Sequence, residues 1–110
     1  MFGLFKTKPK NYQNVNVEEF KELKKKSRTV VLDVRTPQEK AEGTVPGAHQ
    51  INYFNPNFKN QVAKLDKSKT YLVYCRSGNR SKKACAMMGS MGFEKLYNLN
   101  GGIMAWNRDN

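Results

Sequence analysis

An α/β domain built on a mainly parallel sheet is what this sequence predicts. Two runs carry most of the prediction, TVVLDV at 29–34 and YLVYC at 71–75. Both are rich in β-branched and aromatic residues and almost free of polar ones, the pattern of strands covered on both faces. The third observation is the order. Strand-type and helix-type segments alternate with short links, which places helices between parallel strands. A chain of 110 residues, 38% hydrophobic and 26% charged, suits one domain with its own core.

Residues 1–10, MFGLFKTKPK, read as a basic, flexible N-terminal tail, and 11–110 as the domain. In VNVEEFKEL, Asn16 is a helix cap and Glu19, three residues on, is its capping-box partner. Val15 and Phe20 form a hydrophobic staple around that start, and the helix is expected to run to about Lys26. Val17, Phe20 and Leu23 share its apolar face, while Lys24, Lys25, Lys26 and Arg28 read as solvated. After the strand at 29–34, TPQEKAEG opens a second helix. Thr36 caps it, Pro37 takes the first helical position, Glu39 completes the box and Gly43 ends it.

Pro46-Gly47 marks a turn, followed by a short strand near Gln50 to Tyr53. A helix restarts at Asn55-Pro56 with Phe58, Val62 and Leu65 at helical spacing, and DKSK at 66–69 is a turn. After the strand at 71–75, the segment SKKACAMMGSMG puts Ala84, Met87, Met88 and Met91 on a core-facing side, with Gly92 as the stop. LYNL at 96–99 is a last strand, and GGIMAWNR begins a last turn or helix containing Trp106.

Chemistry concentrates at the end of the second strong strand. YCRSGNR, residues 74–80, sets a thiol, two arginines and a glycine within seven residues, between a strand and a helix. In open α/β sheets ligands sit beyond the carboxyl ends of the strands. Gly78 permits backbone angles closed to other residues, so the N–H groups of 76–80 can curl inward as an anion nest at a helix N-terminus. Arg76 and Arg80 add permanent charge. A cysteine in such a setting ionises more readily than a free thiol, and the thiolate is the nucleophile. A cysteine at a strand end is by itself also what a small buried hydrophobe looks like. The strand before, the helix after and the flanking arginines turn the reading towards chemistry.

Other residues read blandly. His49 is a surface or strand-edge residue, and Cys85, well down the helix, is a packing residue too far along for a disulfide with Cys75. With one histidine and no pair of C-x-x-C motifs, no metal site is expected. The net charge of +11 favours anionic partners. Lys82 and Lys83 widen the positive field beside the loop. The basic residues are not interleaved with an aromatic platform, so no nucleic-acid partner is expected. There is no apolar run long enough for a spanning helix or a secretory signal, so no membrane partner is expected and the location is read as cytoplasmic.

LDVRTPQE (32–39), EGTVPGA (42–48), YCRSGNRS (74–81) and GGIMAW (101–106), in this order and spacing, resemble a rhodanese domain over roughly residues 12–107. The resemblance implies a five-stranded, mainly parallel sheet flanked by helices on both faces. It implies a sulfurtransferase in which Cys75 takes a sulfane sulfur from thiosulfate or a related donor as a persulfide and passes it to a thiophilic acceptor. Arg76, Ser77, Gly78, Asn79 and Arg80 would bind the anionic donor. Asp33 and Arg35, with Ser81, would brace the loop. A small thiol or a redox protein is the implied acceptor, and no cofactor is required.

Two other readings use the same residues. One is a weakly catalytic rhodanese-like sulfur carrier or interaction module that docks through Lys24–Lys26. The other is a small phosphatase or arsenate reductase. Those relatives carry a longer Cys-x5-Arg loop, whereas this chain has Cys-x4-Arg and sets Ser81 where their arginine stands. Thr44 and Val45 in the Pro-Gly turn segment, and Lys40, depart from the family's usual residues at positions that read as scaffold.

Overall fold

Five strands and five helices alternate along the chain in the computed structural model, which describes residues 11–109. The expected tail at 1–10 and Asn110 lie outside the described residues. The strands are β1 (Gln13–Val15), β2 (Thr29–Asp33), β3 (His49–Gln50), β4 (Thr70–Tyr74) and β5 (Lys95–Leu99). The helices are α1 (Val17–Lys24), α2 (Pro37–Ala41), α3 (Phe58–Ala63), α4 (Asn79–Ser90) and α5 (Gly102–Arg108). The sheet runs in the order β1-β5-β4-β2-β3, and every neighbouring pair is parallel. The predicted architecture therefore holds, with β4 at the centre of the sheet.

Alternation along the strands divides the core. Leu32 and Val34 of the β2 segment, with Tyr71, Val73 and Cys75 of the β4 segment, pack with Phe58 and Val62 of α3 and Ala84, Cys85 and Met88 of α4. Val31, Leu72 and Tyr74, one position out of step, pack with Val17 and Phe20 of α1 and Ile103, Ala105 and Trp106 of α5. Helices thus cover both faces. Phe20 and Trp106 meet edge to face at 5.9 Å, and Lys21 lies over the same indole at 5.3 Å. Met88 is fully buried, and Met87 and Met91 pack against it from the margin, as the spacing predicts. No helix among the described residues is long and apolar enough to cross a membrane.

Local signals place the helix starts well. Asn16 with Glu19 and Thr36 with Glu39 both form reciprocal capping boxes. Val15 and Phe20 fall in one cluster, consistent with the staple. Four boundaries differ from expectation. Strand β1 was not expected: its three residues, QNV, carry one apolar side chain and show no period, and pairing with β5 is what makes them a strand. Strand β3 is His49–Gln50, earlier than predicted, with His49 exposed at the sheet edge. Helix α1 ends at Lys24 and not at Lys26. Helix α3 begins at Phe58, because Asn52 and Asn55 side chains accept from the N–H groups of Phe54 and Asn57 and hold residues 52–57 in turns.

Candidate active site

Helix α2 buries none of its residues, so apolar packing does not hold it in place. Polar groups hold it at the carboxyl end of the sheet. Asp33, the last residue of β2, is fully buried, and its register partner in β4 is Tyr74. Paired parallel residues point to the same face, and the Tyr74 hydroxyl donates to Asp33 Oδ2 at 2.8 Å. Arg35 donates to both Asp33 oxygens, with Nη2 to Oδ2 at 2.8 Å. Its remaining N–H groups reach the carbonyls of Glu39 at 3.2 Å and Gly43 at 2.7 Å, which ties the middle of α2 and the turn after it to the sheet. Burial pulls the Arg35 guanidinium down, and the Asp33 carboxylate more than offsets it, so the group is held above its ordinary value. Asp33 and Arg35 were expected to brace the loop after Cys75; beyond their mutual pair, their side-chain bonds run instead to Tyr74, Glu39 and Gly43. Tyr74 was not anticipated. Its hydroxyl also meets the Thr44 hydroxyl at 2.8 Å and accepts from the Val45 N–H at 3.1 Å, so it binds the loop after α2.

Chain direction sets the next layer. Strand β4 delivers Cys75 at its carboxyl end, and Gly78, at φ +109, turns the chain into α4. Cys75 is 1% exposed. Its sulfur lies beneath the loop and takes the Gly78 N–H at 3.1 Å and the Ser81 hydroxyl at 3.4 Å. Burial pushes the thiol up. The Ser81 hydroxyl and the backbone N–H groups of Ser81, Gly78 and Ser77 outweigh it, leaving Cys75 below the ordinary thiol value. The Gly78 N–H therefore turns inward, towards the sulfur. The reading gave Ser81 a bracing place, and the structure puts its fully buried hydroxyl in contact with the sulfur.

The arginines depart from expectation. Arg80 does not stand free in the loop. It forms a two-point pair with Glu39, Nη1 to Oε1 at 2.7 Å and Nη2 to Oε2 at 2.8 Å, with its guanidinium 5.4 Å over the ring of Phe54. Arg80 and the Thr36 groups hold the Glu39 carboxyl at about 2. Arg76 is exposed and lines a cleft of about 180 Å³ beside the loop. Ser77 and Asn79 are exposed, and Gly78 is buried.

Two further features support the loop from below. Gly102, at φ +59, lets α5 press on the strand end: a β-carbon there would lie 2.5 Å from the Cys75 carbonyl oxygen. That close approach allows the Ile103 N–H to reach the Cys75 carbonyl at 2.9 Å and the Met104 N–H to reach that of Arg76 at 3.2 Å. Asn98 of β5 is fully buried near Gly78, donates to Asn14 at 3.0 Å and leaves its Oδ1 unpartnered. Cys85 is buried and unpaired, pushed up to about 12 by burial and by Cys75. Among the described residues no group of three or more His, Cys, Asp and Glu side chains gathers as a metal site would. The arrangement as a whole can hold a sulfur anion under a cap of N–H and O–H donors.

Comparison with known proteins agrees with the fold. Residues 16–109 match the model of the rhodanese-like domain. The chain is 38% identical over 79 residues to a sulfurtransferase of Allochromatium vinosum, covering 72% of each chain. It is 33% identical over 95 residues to thiosulfate sulfurtransferase GlpE of Pseudomonas putida, covering 86% of this chain and 84% of that one. A rhodanese-related protein from Thermoplasma volcanium superposes with a TM-score of 0.79 at 28% identity, covering 90% of this chain and 94% of the other.

Proposed function

The chain belongs to the rhodanese-like domain family, and on that premise we propose that it is a sulfurtransferase that carries a sulfane sulfur on Cys75 from thiosulfate or a related anionic donor to a thiophilic acceptor. The observation that carries the reading is the Gly78 N–H and the Ser81 hydroxyl both directed at Cys75 Sγ. These donors favour the anionic form of the sulfur, and the same donors suit a persulfide anion formed in its place.

In the first half-reaction the Cys75 thiolate attacks the outer sulfur of thiosulfate. The sulfur–sulfur bond of thiosulfate breaks, sulfite leaves with the bonding pair, and Cys75 holds the outer sulfur as a persulfide. In the second, cyanide or an acceptor thiolate attacks that outer sulfur and the Cys75 thiolate is the leaving group. The donors around Cys75 lower the cost of forming its thiolate, so the attacking form is reached more easily than for a free thiol. Arg76, with the exposed residues Ser77 and Asn79, meets the donor. Arg80, committed to Glu39, fixes the loop and does not take the anion. That same commitment favours sulfur transfer over phosphoryl or arsenate chemistry, since an oxyanion would find no free arginine at the loop's far end. Two unpaired thiols fit a reducing, cytoplasmic setting.

Steady-state turnover with thiosulfate and cyanide tests this. The reading expects ping-pong kinetics with sulfite release in wild type and none in Cys75→Ser. Full activity in Cys75→Ser would overturn it.

A further inference from the structure

We propose that the cleft beside Arg76 recognises the zwitterionic head of an α-amino-acid thiol, so that a cysteine-type small molecule is the physiological partner in sulfur exchange. The inference rests on the transfer reading above and names its substrate class. The cleft, of about 180 Å³, is of the order of a single amino acid in size. Four charged residues line it: Arg35, Glu39, Glu42 and Arg76. Two are spoken for, Arg35 by Asp33 and Glu39 by Arg80. The other two are exposed, and neither the Glu42 carboxylate nor the Arg76 guanidinium has a hydrogen-bond or ion-pair partner among the described residues.

Opposite charges that share a cleft without bridging it leave a pair of sites for an occupant to complete. A carboxylate fits Arg76 in the two-point manner of guanidinium groups. The Glu42 carboxylate would attract an ammonium group. An α-amino acid supplies both charges one carbon apart. Ile103 and Met104 give the cleft an apolar wall for a methylene, and Met104 is 53% exposed and so open to an occupant. The wall is tied to the reacting residue, because the Ile103 and Met104 N–H groups bond the Cys75 and Arg76 carbonyls.

The exchange conserves atoms and electrons. The amino-acid thiolate attacks the outer sulfur of the Cys75 persulfide, the sulfur–sulfur bond to Cys75 breaks, and the Cys75 thiolate leaves while the acceptor becomes a persulfide. The reverse step loads Cys75 from an amino-acid persulfide.

The test loads Cys75 from thiosulfate and compares two acceptors, L-cysteine and 3-mercaptopropionate, which keeps the carboxylate and thiol but lacks the ammonium group. Their thiols ionise differently, so the readout is how the ratio of kcat/KM for the two acceptors changes between proteins. In Glu42→Gln the preference for L-cysteine falls by about five-fold, the worth of one partly exposed ion pair. In Arg76→Gln both acceptors weaken together, since both carry the carboxylate. A ratio unmoved by Glu42→Gln overturns the proposal. If Cys75 accepts no sulfur from any donor, the transfer reading fails instead, and the cleft is judged by titrating the unloaded protein with unreactive S-methyl-L-cysteine. Amide shifts at residues 42 and 76 then support the recognition site, and their absence overturns it.

Discussion

Glu39 grips both terminal nitrogens of Arg80, at 2.7 and 2.8 Å, from 41 residues away in the sequence. The carboxylate has a second duty, since Oε1 also accepts from the Thr36 N–H and hydroxyl that start α2. One side chain therefore couples the start of α2 to the start of α4, and the loop over Cys75 lies directly before that second start.

Replacing Glu39 by Gln should loosen that coupling. The pair is two-pronged and about four-fifths buried by side-chain area, yet it borders solvent, so its loss is expected to cost on the order of 1–2 kcal/mol. The folded carboxyl sits at about 2 against an ordinary 4.5, so its contribution is complete above about 4.5 and is lost as pH falls through 2. The stability gap between wild type and Glu39→Gln, read by chemical denaturation, should be constant from neutrality down to about pH 5 and close below it. A gap independent of pH would mean the carboxylate charge is not what binds Arg80.

Ser81→Ala removes the hydroxyl that faces the sulfur. A hydrogen bond to a charged group is worth about 1.5–3 kcal/mol, and its length here places it at the low end, so Cys75 ionisation should move up. Because a lowered thiol is reactive above its own ionisation and loses reactivity as pH falls, the alkylation-rate profile should shift to higher pH in the variant. Coincident profiles would show that the hydroxyl does not serve the thiolate.

Gly102 and Gly47 both have positive φ but different surroundings. At φ +81 a Gly47 β-carbon meets nothing within 4 Å, whereas at φ +59 a Gly102 β-carbon meets the Cys75 and Arg76 carbonyls. Gly47→Ala is therefore expected to cost about 1 kcal/mol of backbone strain alone. Gly102→Ala adds displacement of α5 from the loop and should lower sulfur transfer as well as the melting temperature. Equal losses in the two variants, with activity intact, would separate α5 from the site.

Tyr74→Phe tests the brace beneath α2. It strips one donor from Asp33 and leaves the buried Val45 N–H without its acceptor, a loss of about 1–3 kcal/mol. Tyr71→Phe, which loses only a bond to the Asp66 carbonyl, is the milder comparison and should cost about 1 kcal/mol or less. Denaturation midpoints for the two variants settle the order.

What could be read from the sequence was local or came from recurring chemistry. The capping boxes at Asn16 and Thr36 are four-residue patterns, and both form as written. Strands β2 and β4 announce themselves by composition, and the Cys75 loop by its place between a strand and a helix. The pairing of Arg80 with Glu39 and of Tyr74 with Asp33, each across 41 residues, has no local signature, because it depends on parallel neighbours meeting at one end of the sheet. For the same reason Arg80 looked like a free charge, and β1, three residues with a single buried side chain, was not recognised as a strand. Ser81 was read as a brace, since the sequence alone does not tell that the first turn of α4 brings its hydroxyl back over the sulfur.

Intact-protein mass spectrometry after incubation with thiosulfate, followed by peptide mapping, tests the central claim most directly. The account predicts one added sulfur atom, located on Cys75, removed by cyanide and absent from Cys75→Ser. Wild-type protein that gains no sulfur from thiosulfate, polysulfide or a small-molecule persulfide, or gains it equally when Cys75 is replaced, would contradict it.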